Sequence, residues 1–194
     1  MKLSYSRSIA PTVEPVSVSE AKAHLRVDHS DEDSYISTLI SVGREIAEQY
    51  TNRSFISQSL VVQLDEFSSS NVGVELIYGA VKSITSVVYF DANNDSQVWA
   101  TSNYRLDLVS KVNEVFPVTS WPETYTRHDA ITITYVAGET DATTVNKNVK
   151  QAILMIVGHF YENRQEVIVG SQVNMMPKAS EYLLASERIF HVAK

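Results

Sequence analysis

The sequence predicts an α+β protein in which a helical bundle built from both ends of the chain carries an inserted antiparallel β subdomain. Apolar residues recur at helical spacing in residues 17–54 and 145–194, whereas they alternate with polar residues in residues 55–143. The strand candidates follow one another without helices between them, which favours antiparallel pairing. Because 44% of the 194 residues are hydrophobic, the chain can bury a sizeable core.

The N-terminal end is predicted to combine an extended arm with a first helix. Residues 1–16 contain two prolines and little periodicity, and we interpret them as the arm. Ser17 and Glu20 have the spacing of a capping box, in which each side chain accepts a hydrogen bond from the other residue's backbone N–H. We therefore expect a helix from Ser17 to about Val27.

The most regular helical pattern follows a break at residues 28–30. Ser30 is the predicted N-cap, and acidic residues 31–33 suit the first turn because the helix dipole favours anions there. One apolar stripe then predicts a helix that pairs with the first as a helical hairpin. The stripe consists of Ile36, Leu39, Ile40, Gly43, Ile46, Ala47 and Tyr50.

The middle of the chain contains six strand candidates, at residues 60–64, 74–78, 84–90, 104–108, 112–116 and 131–136. Residues 91–96 are rich in turn formers and are expected to join two strands. They also resemble the opening of a calcium loop. However, Ser96 and Ser102 stand where such a loop needs glycine and a bidentate glutamate, so a hairpin turn is favoured.

Helical spacing returns near Asn146 and predicts a central helix that ends around residues 162–164. Residues 165–179 mix apolar with small polar side chains and have no clear period. Ser180 is the predicted N-cap of a last helix, which at about ten residues needs something to pack on. We therefore expect residues 167–176 and this helix to be mobile in a free monomer and to become ordered against a partner.

Charge and composition exclude several classes of function. The net charge is −7, and residues 55–143 carry four basic and eleven acidic side chains, which argues against a general nucleic-acid binder. The absence of cysteine excludes disulfides and thiolate chemistry and fits a protein made in a reducing cytoplasm. The sequence shows no signal peptide and no apolar run long enough to span a membrane, so no membrane association is expected.

The search for catalytic chemistry finds no nucleophile elbow and no phosphate-binding glycine loop. His24, His29 and Asp31 are conceivable metal ligands, but solvated capping carboxylates are the favoured interpretation. His159 and Glu162 lie one helical turn apart, where a histidine satisfied in a helix interface is favoured over a metal pair. We therefore expect no enzyme activity, no catalytic residues, no metal and no cofactor.

Several short runs of residues follow one another in a characteristic order and spacing over about residues 15–190. The runs are Pro15–Ser17, Glu20–Asp28, Asp33, Arg44–Glu45, Glu48, Thr51–Arg53, Tyr104–Asp107, Trp121–Pro122, Val136–Gly138, Lys150–Ile153 and Gly158–Arg164. Together they resemble the head–tail connector (adaptor) proteins of tailed bacteriophages and prophages. Asn52 departs from the glycine that this family pattern leads us to expect, and no proline opens the helix before Lys150.

The resemblance implies a virion protein assembled in the host bacterial cytoplasm. About a dozen copies would form a ring that joins the capsid portal to the tail and extends the DNA channel. The implied partners are further copies of the chain, the portal protein, and a tail-side neck or tail-completion protein, with DNA passing through unbound. The C-terminal segment is the part expected to reach the portal or a neighbouring subunit. The docking candidates are Val167, Ile168, Val169, Val173, Met175, Met176, Leu183, Leu184, Arg188, Ile189 and Phe190.

Three alternatives remain open. The first is a tail-completion or terminator ring, from which the C-terminal helix would distinguish a connector because such terminators are mainly β proteins. The second is a metal-dependent hydrolase that uses His24, His29 and Asp31. The third is a carbohydrate-binding module in which Trp99 and Trp121 of the β subdomain contact the glycan.

Overall fold

The structure, a computed structural model, describes residues 3–67, 72–164 and 177–190. The chain forms two compact units. The β unit comprises the described residues of Met1–Pro11, Ser57–Gly138 and Ile189–Lys194, and the helical unit comprises those of Thr12–Ile56 and Glu139–Arg188. The protein is thus a mixed α+β structure. None of its described helices is long and apolar enough to cross a membrane.

The β unit contains two antiparallel sheets. A five-stranded sheet has the order β1-β2-β8-β4-β5, and a three-stranded sheet has the order β3-β7-β6. A short 3₁₀ turn, Thr101–Asn103, precedes β6. The strands are β1 (Leu3–Ile9), β2 (Gln58–Leu64), β3 (Val74–Leu76), β4 (Val81–Phe90), β5 (Ser96–Val98), β6 (Tyr104–Leu106), β7 (Asn113–Pro117) and β8 (Ile131–Ala137).

The two central strands bury alternate side chains, as period-two sequences require. Leu60, Val62 and Leu64 of β2 lie opposite Tyr135, Ile133 and Ile131 of β8, and all six are buried. The largest of them, Tyr135, donates its hydroxyl to the carbonyl of Ile77 at 2.5 Å. This layer forms the centre of the β-unit core.

The helical unit contains α1 (Val18–Leu25), α2 (Asp33–Thr51), α3 (Lys147–Glu162) and α4 (Lys178–Leu184), with 3₁₀ turns at Ala142–Thr144 and Ala185–Glu187. Helices α2 and α3 approach closely because Gly43 has no side chain. A Cβ at Gly43 would lie 3.3 Å from Cγ2 of Ile153. The apolar stripes of both helices meet in a core that also contains Val16, Ala21, Phe55 and Leu184.

Several local predictions are confirmed. The capping box forms, since Ser17 Oγ accepts from the Glu20 N–H at 3.1 Å and the Glu20 carboxylate accepts from the Ser17 N–H at 2.7 Å. The turn at residues 91–96 joins β4 to β5. Its Asp91 carboxylate accepts from the N–H groups of Asn93 and Asp95, which is a turn geometry.

Other local predictions are corrected. Residues 3–9 of the predicted arm form strand β1, which extended backbone and alternating side chains permit. Ser30 does not cap α2, because that helix begins later and its N-cap, Glu32, makes no side-chain capping bond. Ser180 is not the N-cap of α4, because the helix begins at Lys178 and its N-cap is Pro177. Ser180 lies inside the helix, and its hydroxyl donates to the Pro177 carbonyl at 2.7 Å. The helix ends at Leu184 and does not continue to Ile189.

Candidate assembly surfaces

The C-terminal helix α4 packs on the helical unit's own core. Leu184 is fully buried and Leu183 is partly buried, whereas Tyr182 is 84% exposed. The short helix needs something to pack on, as expected, and α3 supplies that contact. One aromatic side chain of α4 is left available to a partner.

Polar contacts hold the residues after α4 in place. The Glu187 carboxylate accepts from Arg53 Nη1 at 2.6 Å and from Asn146 Nδ2 at 2.8 Å. The guanidinium of the next residue, Arg188, lies 4.9 Å from the centre of the Tyr50 ring, in cation–π contact. Residues from the ends of α2 and α3 thus converge on one short segment.

A second polar cluster fixes the C-terminal end of α3. Glu32 accepts hydrogen bonds from Arg164 at 2.6 Å and from the Tyr161 hydroxyl. The Arg164 guanidinium also lies over the rings of Tyr35 and Tyr161, at 4.8 and 4.9 Å. The hydrogen bonds from Tyr161 and Arg164 lower the pKa of Glu32. This cluster holds the chain on the helical unit just after the C-terminal end of α3.

The predicted docking residues fall into three groups. Val167, Ile168, Val169, Val173, Met175 and Met176 lie outside the described residues. Leu184 and Ile189 are buried within the chain, and Leu183 is partly buried in the core of the helical unit. Arg188 is exposed, with its guanidinium against the Tyr50 ring. Phe190 is 67% exposed. Among the described candidates, Phe190 therefore offers the largest apolar surface.

A buried charge network, which the sequence did not reveal, organises the start of the helical unit. Arg44 donates to Glu14 at 2.7 Å and to Glu48 at 2.9 Å. The other oxygen of Glu48 accepts from the Phe55 N–H at 2.9 Å. Burial alone would lower the pKa of Arg44, but the hydrogen bond that Arg44 donates to Glu14 and the negative charge of Glu48 outweigh burial and raise the pKa above its ordinary value. The guanidinium stays charged and ties residues 14–16 to α2.

The proposed metal ligands do not assemble into a site. His29 Nδ1 lies 3.7 Å from Asp31 on the exposed surface, and His24 lies against Gly158. His159 packs edge-on against Phe160. Among residues 3–67, 72–164 and 177–190, no three histidine, aspartate or glutamate side chains are grouped as metal ligands. The geometry gives the hydrolase alternative no support.

The two tryptophans belong to an aromatic cluster of the β unit. Trp121 stacks on Phe67 with ring centres 4.2 Å apart, and its indole N–H donates to the Val72 carbonyl at 3.1 Å. Trp99 is buried against Phe67 and Tyr104. The two indole rings also contact one another, with centres 5.1 Å apart, and packing within this cluster accounts for the position of both.

Exposed apolar side chains of the β unit lie at its edges and loop tips. Strand β1 exposes Tyr5 and Ile9, and the connection between β6 and β7 exposes Leu108 and Val109. That connection has a defined shape, because the Asp107 carboxylate accepts from the N–H of Val109 at 2.8 Å. Rigid loops that present apolar groups are typical of protein contacts.

Comparison with known proteins gives one family and several related folds. The model of a family described as "Head completion protein" matches residues 14–186, which include parts of both units. No curated protein sequence matches the chain.

The fold recurs in solved particles of the gene transfer agent (GTA). A chain from the neck of an empty GTA particle, computed with C6 symmetry, is 18% identical, with a TM-score of 0.78 over 100% of this chain and 98% of its own. A chain from the virion of a native GTA particle is 18% identical, with a TM-score of 0.80 over 97% of both chains. A chain from the neck of the native particle, computed with C12 symmetry, is 19% identical, with a TM-score of 0.69 over 100% and 98%.

Proposed function

The chain belongs to the head completion protein family, and on this premise we propose that it is a structural virion subunit whose ring joins the capsid portal to the tail. The family match over residues 14–186 is the observation that carries this proposal, and it confirms the resemblance to head–tail connector proteins. The related folds come from virion and neck structures, which supports a place in the neck.

The ring contains about a dozen copies in cyclic symmetry, as head-to-tail contacts between identical subunits allow. C6 and C12 symmetry in the GTA neck structures supports such an arrangement. The portal protein lies on one side of the ring, and a tail-side neck or tail-completion protein lies on the other. DNA passes through the channel without specific binding, because the net charge of −7 gives phosphates few partners.

The portal contact is made by the segment between Arg164 and Pro177. Both ends are held on the helical unit, by Glu32 at one end and by the buried Leu184 of α4 at the other. The six docking candidates Val167, Ile168, Val169, Val173, Met175 and Met176 fall between these anchors.

The role requires no enzyme activity. The family is one of structural completion proteins, and the histidines and tryptophans considered for other functions serve packing and turns. A terminator ring remains the second candidate. The helical unit, with α4 packed on α3, favours the connector, because terminators of that kind are mainly β proteins.

Electron microscopy of the purified chain at high concentration tests the ring, and cosedimentation with portal-bearing capsids tests the docking. The variant Val167→Ser/Ile168→Ser/Val169→Ser should form rings and lose capsid binding. The matched control Val98→Ser/Val118→Ser/Tyr125→Ser removes other exposed apolar groups of the β unit and should bind normally. Rings that bind equally well with either variant would refute the docking segment, and a strictly monomeric chain would refute the connector role.

A further inference from the structure

Strand β1 is paired with the sheet while its side chains at residues 4–9 stay exposed. Residues 4–10 are all exposed, and Tyr5 and Ile9 remain 51% and 60% exposed. Tyr5 and Arg7 lie opposite Val62 and Leu60 of β2, and a register shift between Arg7 and Ile9 interrupts the alternation beyond them. The strand thus carries two large apolar side chains, Tyr5 and Ile9, that the chain's own fold leaves largely exposed.

The position of β1 makes it separable from its own sheet. Among the described strands it lies at the edge of the sheet and pairs with β2, from Leu3↔Leu64 to Ile9↔Ser59. Besides the backbone pairing, the Ser8 hydroxyl donates to the Ser59 carbonyl at 3.2 Å, and Tyr5 contacts Tyr78 with ring centres 5.0 Å and hydroxyl oxygens 3.0 Å apart. Its removal would open no hole in the core, because the described core of the β unit contains none of its residues.

The chain passes from β1 into the helical unit through a short exposed connection. Pro15 and Val16 are buried, and Glu14 is held by Arg44, so the helical unit fixes the chain from residue 14 onwards. Residues 10–13 carry no regular structure, and Val13 is 46% exposed. A strand whose side chains at residues 4–9 stay exposed, joined by a proline-containing connection to a residue that the helical unit holds, has the features of an exchangeable element.

We propose that in the assembled ring β1 of each copy pairs with β2 of the neighbouring copy instead of its own β2. The inference rests on the proposed ring function and names a contact that would join its subunits. Exchange replaces each β1–β2 hydrogen bond within a copy by the same hydrogen bond between two copies. The conformational change that it requires is therefore confined to residues 10–13. Because each copy gives a strand to one neighbour and receives one from the other, the contact is head-to-tail, as a closed ring requires.

The exposed apolar groups fit this arrangement. Ile9 precedes the connection and Val13 lies at its end, and in an exchanged ring the connection crosses from one subunit to the next. Side chains at such a crossing become enclosed between two copies, and the burial of apolar side chains of this size stabilises the contact. In a single copy these two side chains are exposed to water. In the exchanged ring the neighbouring copy covers them, because the connection leads to that copy.

Engineered disulfides distinguish exchanged from unexchanged strands, because the natural chain has no cysteine. Ser4 and Gln63 are directly opposed across β1 and β2, and Gln63 and Thr132 are opposed across β2 and β8. Opposed residues in antiparallel strands have Cα atoms about 4.5–5.5 Å apart, within disulfide range. The test variant is Ser4→Cys/Gln63→Cys, and Gln63→Cys/Thr132→Cys is the control, whose bond always forms within one chain.

Each variant is assembled at high concentration, checked for rings by electron microscopy, oxidised, and run on a denaturing gel without reductant. Exchange predicts covalent ladders up to the full ring for the test variant and monomers for the control and for Ser4→Cys alone. Rings whose test variant runs only as monomer would overturn the exchange and leave the ring function intact. A chain that forms no oligomer at any concentration counts against both.

Discussion

Arg44 and Glu48 form an ion pair one helical turn apart, at 2.9 Å, and both side chains are almost completely buried. The pair is completed by Glu14 on one side and by the Phe55 N–H on the other. Every partner is therefore satisfied inside the helical unit. A buried pair of this kind contributes little net stability, but removal of one partner leaves the other charge buried and unpaired.

We predict that Arg44→Met lowers the free energy of unfolding by about 3–5 kcal/mol, because Glu48 then remains charged in an apolar site. Chemical denaturation monitored by circular dichroism measures the change. The matched control Arg105→Met removes an exposed arginine and should change stability by no more than about 0.5 kcal/mol. Equal effects of the two substitutions would show that the network is not important for folding.

Arg26 ends α1 in the left-handed conformation, at φ 59°. A residue with a Cβ is strained there by about 1–2 kcal/mol, which glycine avoids. Arg26→Gly should therefore raise the free energy of unfolding by about 1 kcal/mol. Arg26→Ala retains the Cβ and should give no such gain. The melting temperatures of the wild type and the two variants test this prediction. A lower melting temperature of the glycine variant would contradict the left-handed conformation of Arg26.

Stability should fall in acid, because every described carboxyl group with a resolved shift has its pKa lowered. Such groups are more acidic in the folded chain, so they stabilise it above their unfolded pKa of 3.8–4.5 and lose that contribution as the pH falls through the folded value. The groups are Glu20, Glu32, Asp91, Asp107, Asp129 and Asp141.

Urea unfolding at pH 7, 5 and 3.5 should show a plateau between the first two and a drop at the third. Glu32→Gln should reduce the size of that drop, because it removes the hydrogen-bonded carboxylate beside Tyr161 and Arg164. A wild-type profile that is flat down to pH 3.5 would contradict the prediction.

The sequence predicted the elements whose cause is local. The capping box at Ser17 and the turn after Asp91 depend on residues two to four positions apart, so their spacing is sufficient evidence. The alternation in β2 and β8 likewise identified a core. Strand β1 was missed because its partner lies more than fifty residues away.

The assembly surfaces were less predictable for the same reason. The burial of Leu184 and the contact of Glu187 with Arg53 depend on the tertiary packing of α4 near α3 and α2. The local sequence around each residue does not show that packing. The resemblance to the connector family gave a partial indication of these residues. Arg44, Glu48 and Arg53 belong to the runs that match the family pattern, but only the structure shows that they hold distant segments of the chain together.

The last prediction concerns α4, which is too short to persist without packing but here packs on α3. Its amides should therefore exchange slowly in a verified monomer. Leu184→Ala should cost about 2–5 kcal/mol through the cavity it leaves, and should speed exchange in α4 more than in β8. Tyr182→Ala removes an exposed side chain of the same helix and should leave exchange nearly unchanged. Fast exchange of α4 in the wild-type monomer would contradict this prediction, because the helix would then need a partner, as its length alone suggests.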